Sequence, residues 1–348
     1  MSEARDLLVE TATALFTRTT PLLGRDSRTE AELAERIWKA VEEAELSTLG
    51  VAPDRGGAGG DLGDACAVLR AAARFAPPVP LAETQLAAWL SAQAGLPIPH
   101  GPLAVGPTVS QDLPRLAADG RFETEILHRV PFAGQVRHVV VLAQGQGSRQ
   151  VALVSTATTT RTDTASLSGE PWATVDLTGV RPDACAPVDL EAAELMARGA
   201  LLRAQQIAGA LARVLQLSVD YARTRVQFGR PIARFQAVQH HLADIAAETV
   251  AAGVAAEAAA DLAESGRMTE AAMIAKSRTG LSARAAAVAH QVHGAVGVTE
   301  EHPLQLFTRR IWDWRDDFGS DIEWAGQLGR KIARAGGAAL WEEISEIV

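Results

Sequence analysis

The sequence falls into two stretches of helical periodicity separated by a stretch rich in Val, Thr, Gly and Pro, and this division constrains the fold most. The middle stretch begins at Pro97-Ile-Pro-His-Gly-Pro102 and ends near Pro187. Within it, the runs Val136–Ala143, Gln150–Thr156 and Trp172–Val180 are β-branched or alternating and are bounded by Gly or Ser. Such runs predict antiparallel strands of a small barrel or sandwich. The order of elements is therefore α, then β, then α.

The flanking stretches predict helices of different lengths. In the N-terminal stretch, Thr29 and Glu32 form a capping-box pattern before an apolar stripe. In the C-terminal stretch, two long amphipathic helices precede a third from Thr269 to Gly294 and a last one from Asp321 to Ile347. Long alanine-rich helices with short connections favour a bundle. The predicted fold class is α+β, mainly α, with a helical domain (1–98), a middle β domain (99–188) and a C-terminal helical bundle (189–348).

Charge, cysteine content and hydropathy exclude several classes of function. The net charge of -9 argues against general nucleic-acid binding, which needs clustered Lys and Arg. Cys66 and Cys185 are isolated, and His240-His241 are adjacent on a helix and point in different directions, so no metal site is predicted. No apolar run approaches the ~18 residues of a membrane span. The N-terminal residues contain no signal-peptide pattern, and we expect a reducing, cytoplasmic location.

The turn from Tyr221 to Gln236 carries the strongest chemical signal. It joins two amphipathic helices and places a cation at Arg225, a polar donor at Gln227 and an aromatic face at Phe228. A guanidinium offers a planar fork that matches phosphate oxygens. Taken alone, this pattern favours a solvated arginine near a helix end, with Phe228 in the core.

A second turn, Gln291-Val-His-Gly-Ala-Val-Gly297, follows another alanine-rich helix. Glycines allow close approach of the backbone to a ligand, and Gln291 and His293 offer polar side chains. The alternative is an ordinary helix end with Gly294 at its C-cap and His293 as a capping side chain. The two turns together are more informative than either one.

Both turns resemble the flavin-binding turns of the acyl-CoA dehydrogenase family. The loop Gly50–Gly59 and the segment Gly297–Leu304 also resemble that family, and the likeness spans nearly the whole chain. The resemblance implies an FAD cofactor, an acyl-CoA substrate and a dimer at minimum, with electron-transfer flavoprotein or a similar acceptor. It assigns Arg225, Gln227 and Phe228 to the FAD on one subunit. It assigns Gln291, His293 and Gly294 to the FAD of the adjoining subunit. Ser320 is a further predicted cofactor-binding residue.

The catalytic base of the family is missing at both positions where the resemblance would place it. The family's glutamate stands before a Gly-Thr or Gly-Ser pair, and here Phe318 precedes Gly319-Ser320. The other family position corresponds to Ala197-Arg-Gly-Ala200, which also contains no carboxylate. Asp317 is the candidate base, although one residue of displacement rotates a side chain by about 100° on a helix. The alternative is that Asp316 and Asp317 are exposed acids near a helix terminus, paired with Arg309, Arg310 or Arg315.

The lack of a base resembles the non-catalytic partner chain of heteromeric acyl-CoA dehydrogenases. In that group two unlike chains form an α2β2 heterotetramer with flavin at the unlike interface, and bulky or polycyclic thioesters are typical substrates. The runs Pro78–Glu83 and Arg309–Ser320 resemble such partner chains. Two alternatives remain: a homomeric flavoenzyme that uses Asp317 as base, and a flavin-free acyl-CoA-binding or scaffold protein.

Overall fold

A computed structural model describes residues 3–22, 30–106 and 113–336. The N-terminal part consists of helices packed through alanine and leucine. The helix Leu62–Ala73 begins at a capping box in which Asp61 accepts from the backbone N–H of Asp64 and Asp64 accepts from that of Asp61. The capping box predicted at Thr29 lies outside the described residues. The helices are α1 (Glu3–Thr19), α2 (Glu30–Glu43), α3 (Leu62–Ala73) and α4 (Leu81–Gln93).

The middle part contains two facing sheets, as predicted for a sandwich. One sheet has the strand order β1-β3-β4-β7 and the other has the order β2-β6-β5. The expectation of antiparallel strands is wrong for β1, which pairs in parallel with β3 because the chain makes β2 in the other sheet before it returns. The strands are β1 (Leu103–Val105), β2 (Ile126–Pro131), β3 (His138–Gln144), β4 (Arg149–Ser155), β5 (Thr160–Ala165), β6 (Pro171–Asp176) and β7 (Ala184–Pro187).

Strand β3 shows why the middle part contains unbroken apolar runs. Val139 and Val141 point into the core between the two sheets. Val140 and Leu142 point to the opposite face and join the core formed with the helices. Because successive side chains of a strand alternate between faces, a strand buried on both faces needs an apolar residue at every position.

The C-terminal part is a helical bundle built around a long helix, α5 (Ala192–Thr224). A two-residue hairpin, β8 (Val226–Gln227) and β9 (Arg230–Pro231), connects it to α6 (Gln236–Glu264). The remaining helices are α7 (Met268–Thr279), α8 (Ser282–His293), α9 (Leu304–Asp316) and α10 (Asp321–Ala335).

The prediction of one helix from Thr269 to Gly294 is wrong. The chain forms α7 and α8 there, and the break falls at Gly280. A β-carbon at this position would lie 2.1 Å from the β-carbon of Asp321, so only glycine allows the start of α10 to approach so closely. The prediction that the last helix continues to Ile347 is wrong at Gly336, because α10 ends at Ala335 and Gly336 is its C-cap with a φ of 84°. Residues 337–348 lie outside the described residues.

The hydrophobic core crosses the predicted domain boundaries. One cluster of buried side chains combines α3 and α4 with β3, β4, α5 and α7, whereas a second joins the C-terminal helices to the end of α3. The division at residues 98 and 188 stays a prediction, since the N-terminal helices share their core with α5. In the part of the chain that the structure describes, no helix is long and apolar enough to cross a membrane.

Candidate functional site

A cavity of about 1070 Å³ lies where the N-terminal helices, the β sheets and the C-terminal bundle meet. Helix α4 forms one wall, α5 forms another, and the segment from Asp316 to Gly319 closes one end. The lining combines apolar and charged side chains, as small-molecule sites commonly do. Its apolar members include Leu86, Val105, Met196, Leu202, Ile322 and Trp324, and its charged members include Glu83, Arg129, Arg203, Asp317, Glu323 and Arg330.

Phe318 lies in the cavity wall, in the place where the resemblance predicts a catalytic carboxylate. Its backbone adopts the left-handed conformation (φ 55°) and its ring lies against Gly199 of α5. A β-carbon at position 199 would be 2.4 Å from Cδ1 of Phe318. An apolar ring that fills this space cannot accept a proton.

Asp317 lines the same cavity, but its carboxylate is already paired. The Oδ2 atom lies 3.1 Å from Nε of Arg203, and Oδ1 lies 3.6 Å from a guanidinium nitrogen of Arg129. Burial raises the pKa of Asp317, while Arg203, Lys276 and Arg129 oppose that shift. Both oxygens therefore have cationic neighbours. The alternative of an exposed acid paired with Arg309, Arg310 or Arg315 is wrong for Asp317, because its partners are Arg203 and Arg129 and the residue is half-buried.

A buried lysine fixes the backbone of this segment. Lys276 of α7 is fully buried, and its Nζ donates to the carbonyl oxygens of Trp314 and Asp317, each at 2.7 Å. Burial lowers the pKa of Lys276 to about 7. The lysine thus caps the C-terminal end of α9, where carbonyl groups lack partners within the helix. These two hydrogen bonds position the backbone that leads into Phe318.

The ion pair between Arg203 and Glu83 connects α5 to α4 in the wall of the cavity. The Arg203 guanidinium donates to Glu83 at 2.6 Å, and both side chains are almost completely buried. Burial raises the pKa of Glu83, against the effect of Arg203. Sequence reasoning missed this pair, and the available signal was an arginine within the apolar run Leu201-Leu202-Arg203-Ala204.

The first predicted flavin turn is exposed at the end of α5. Arg225, Gln227 and Phe228 are all exposed, and Phe228 exposes 91% of its surface. Phe228 and Gly229 both have positive φ (51° and 78°), as a tight two-residue hairpin requires. No carboxylate in the described part of the chain forms an ion pair with Arg225. Because Phe228 is exposed, the alternative that places its side chain in the core is excluded. The turn presents a cation and an aromatic face to the outside.

The second predicted flavin turn lies beside the first one. The imidazole of His293 stacks on the ring of Tyr221 with centroids 4.6 Å apart, so both turns share one end of the bundle. His293 is only 3% exposed, and its Nδ1 contacts the carbonyl of Ala289 at 2.8 Å. Gln291 and Gly294 are exposed, and Gly294 has a φ of 62° with open space around its α-carbon.

Ser320 is the N-cap residue of α10. Its hydroxyl accepts from the backbone N–H of Glu323, and the Glu323 carboxylate accepts from the backbone N–H of Ser320 at 2.7 Å. This capping box gives Ser320 a structural role at the start of α10. The role of Ser320 toward a cofactor stays a prediction, as do the roles of the other predicted site residues.

The residues of the two turns fit a flavin dinucleotide held against this surface. Arg225 supplies a positive charge for a diphosphate, and the backbone at Gly294 leaves room for close approach. His293 fits less well, since its ring is buried within the chain. Among the described residues, no group of three or more His, Cys, Asp or Glu could hold a metal ion.

The fold and the two turns define a helical flavoenzyme-like chain with a small β sandwich, and similarity to known proteins specifies the family. Residues 191–312 match the family described as "Acyl-CoA dehydrogenase, C-terminal domain". The chain is 30% identical to acyl-CoA dehydrogenase IpdE2 of Mycolicibacterium smegmatis, over 89% of this chain and 93% of that protein. It is 32% identical to IpdE2 of Mycobacterium tuberculosis, over 79% and 80%. The chain therefore belongs to the acyl-CoA dehydrogenase family, as its resemblance predicted.

Solved structures confirm the predicted fold class. The chain superposes with a TM-score of 0.84 and 22% identity on a chain of the ChsE4-ChsE5 complex from Mycobacterium tuberculosis, covering 96% of this chain and 98% of that one. The Tcur3481-Tcur3483 steroid acyl-CoA dehydrogenase gives the same TM-score with 24% identity and the same coverage. Members of this family are flavoproteins with oxidoreductase activity that typically bind FAD.

Proposed function

We propose that this chain is the subunit without a catalytic base in a heteromeric FAD-dependent acyl-CoA dehydrogenase. In this assembly, it would support α,β-desaturation of an acyl-CoA thioester whose proton is removed by a carboxylate of the second subunit. The contact between Phe318 and Gly199 carries the proposal, because it fills both neighbourhoods in which the family places its base.

The exposed turns support a flavin shared between two subunits. When bound, FAD would accept the hydride from the β-carbon of the substrate. A phenylalanine with positive φ and 91% exposure is unfavourable in the isolated chain. A partner that covers Phe228 offsets this cost. Because Arg225 is exposed beside it, the same surface offers a cation to the diphosphate.

Similar structures support the unlike partner and the class of substrate. The ChsE4-ChsE5 structure is described as a complex, and the Tcur3481-Tcur3483 protein is described as a steroid acyl-CoA dehydrogenase. A cavity of about 1070 Å³ is compatible with a bulky acyl group. We propose hindered or polycyclic acyl-CoA thioesters as substrates and an electron-transfer flavoprotein or similar protein as acceptor.

Copurification tests the proposal. We would express the chain alone and together with a second acyl-CoA dehydrogenase-like subunit from a neighbouring gene, one that retains the glutamate. The expected result is that flavin absorbance and thioester oxidation appear only in the copurified assembly. A lone chain that is yellow and oxidises thioesters would contradict the proposal. Thioester binding without flavin in either preparation would support the flavin-free alternative.

A homomeric enzyme that uses Asp317 is the second candidate, because Asp317 lines the cavity and burial raises its pKa. Against it, Arg203 and Arg129 surround the carboxylate, and a paired carboxylate is a weak base. Replacing Asp317 with Asn in the active preparation separates the two candidates. We expect turnover per bound flavin to stay within about twofold, whereas loss of a general base lowers turnover by about 10²–10⁴-fold.

A further inference from the structure

Strand β5 forms one edge of the three-stranded sheet in the β sandwich. The strand order is β2-β6-β5, and among the described strands only β6 pairs with β5. The side chains from Thr160 to Thr164 are all exposed. An edge strand presents a row of backbone N–H and C=O groups that can pair with a strand of another chain. Strand β5 therefore offers a surface on which such a strand could be added.

The two edges of this sheet differ in how they are protected. On the opposite edge, the register of β2 shifts between Leu127 and Val130, Arg129 has a φ of 56°, and the strand ends at Pro131. Irregular register and proline both hinder the addition of a further strand. Strand β5 pairs with β6 in continuous register over its whole length and contains neither proline nor lysine. It therefore lacks the features that commonly protect an edge.

The side chains of β5 are complementary to those of a second copy of the same strand. In the sequence Thr160-Arg-Thr-Asp-Thr164, a threonine lies at the centre and a charge of opposite sign lies on each side of it. If two copies run antiparallel with Thr162 opposite Thr162, Arg161 of each copy lies opposite Asp163 of the other. Opposite charges and threonine pairs directly across from one another stabilise neighbouring strands.

The charges of β5 lie on one face of the strand, as this pairing requires. Residues two apart point to the same face, and Nε of Arg161 lies 3.7 Å from Oδ1 of Asp163 within one chain. A paired strand would extend this contact into an alternating set of two cations and two anions. A shift of the register that centres the pair on Arg161 or on Asp163 would place like charges opposite each other, so the register at Thr162 is favoured.

We propose that β5 is an interaction surface for a second copy of this chain, with two edges paired antiparallel about a twofold axis at Thr162. The complementarity of the strand to itself favours a second copy over an unlike chain. Because the pair uses both edges, association stops at two copies. In a heteromeric assembly, this contact would join two assemblies through their β sandwiches. It depends on neither flavin nor thioester binding.

Sedimentation velocity over a range of protein concentrations tests this surface. The protein is the full chain in its assembly with the partner subunit, or the full chain alone if no such assembly forms. We expect a reversible doubling of mass with a dissociation constant on the order of 10 μM, since one pair of short strands forms a small interface. Arg161→Asp and Asp163→Arg each place like charges across the axis, and each should weaken the association about tenfold or more.

An equimolar mixture of these two variants provides the sharpest measurement. Each variant carries the charges that the other lacks, so the mixture should associate as the wild type does. The double variant Arg161→Asp/Asp163→Arg should also associate, because its charges remain complementary. The control is Asp189→Arg, which makes the same change of charge at an exposed position between β7 and α5 and should leave the association unchanged. Circular dichroism establishes that each variant is folded.

Two results would overturn the proposal. One is a wild-type mass that does not rise up to about 100 μM, roughly ten times the expected dissociation constant. The other is an association that persists in both single variants, or that their mixture does not restore. In that case another surface joins the copies, and β5 is not the contact.

Discussion

The ring of Phe318 lies against the α-carbon of Gly199, so close that a β-carbon at position 199 would come within 2.4 Å of the ring. These two residues occupy the two neighbourhoods where a catalytic carboxylate was expected from the family. The structure shows that they form one contact in the wall of the cavity. Glycine at one position provides the space that phenylalanine at the other position fills.

This contact predicts that Gly199 and Phe318 depend on each other energetically. Gly199→Ala should lower the free energy of unfolding by about 1–3 kcal/mol, the usual cost of overpacking. In a Phe318→Ala background, the same substitution should cost much less, because the clash has been removed. Urea unfolding of the wild type, both single variants and the double variant measures the coupling. Strictly additive effects would show that the two residues do not share this space.

From the exposure of the turn we predict that Arg225 contributes to FAD binding. Charge-assisted hydrogen bonds contribute about 1.5–3 kcal/mol, so Arg225→Gln should weaken FAD binding by the assembled complex about tenfold or more. Equilibrium dialysis with absorbance of the retained flavin measures the effect. Arg223→Gln, which removes an exposed arginine from the last turn of α5, is the matched control. Equal loss of flavin in both variants would indicate a general charge effect rather than a contact of Arg225.

The lowered pKa of His302 predicts that the protein loses stability in acid. Burial and the neighbouring His293 and His290 lower its pKa to about 4 from the ordinary 6.5. The unfolded chain therefore binds a proton at this residue as pH falls through 6.5, whereas the folded chain does not bind it until about pH 4. The contribution of His302 to the free energy of unfolding is present above pH 6.5 and is lost progressively as the pH falls from 6.5 to 4.

The variant His302→Asn tests this assignment, since its amide oxygen can still accept from the backbone N–H of Leu304. We expect a flatter dependence of the unfolding free energy on pH in that interval. His128→Asn, which changes an exposed histidine, should retain the wild-type slope. Identical slopes in the wild type and His302→Asn would contradict the prediction.

The lowered pKa of Lys276 predicts the same direction of change at higher pH. Burial lowers its pKa to about 7 from 10.5, so between these values the unfolded chain is protonated at this residue and the folded chain is mostly not. Stability from this residue therefore rises as pH increases from about 7 to about 10.5. The difference in unfolding free energy between the wild type and Lys276→Met should grow over this interval. A difference that stays constant with pH would show that the lysine remains charged inside the protein.

Much of the architecture was predictable because it depends on local patterns. The change from helical period to β-branched runs near Pro97 and back near Pro187 reflects side chains that repeat with the geometry of each element. The split between α7 and α8 was missed, because Gly280 is needed only where α10 passes close to it. The parallel pairing of β1 with β3 was missed for a similar reason, since pairing direction depends on the route of the whole chain.

The sequence by itself determined the order of elements, the family resemblance and the absence of glutamate at the expected base positions, since these follow from residue identity and spacing. Only the tertiary structure decided that Phe318 fills the space beside Gly199 and that Arg203 and Arg129 surround Asp317. Such relationships join residues far apart in the chain, and distances between them are set by the packing of α5 against the other elements rather than by any local preference.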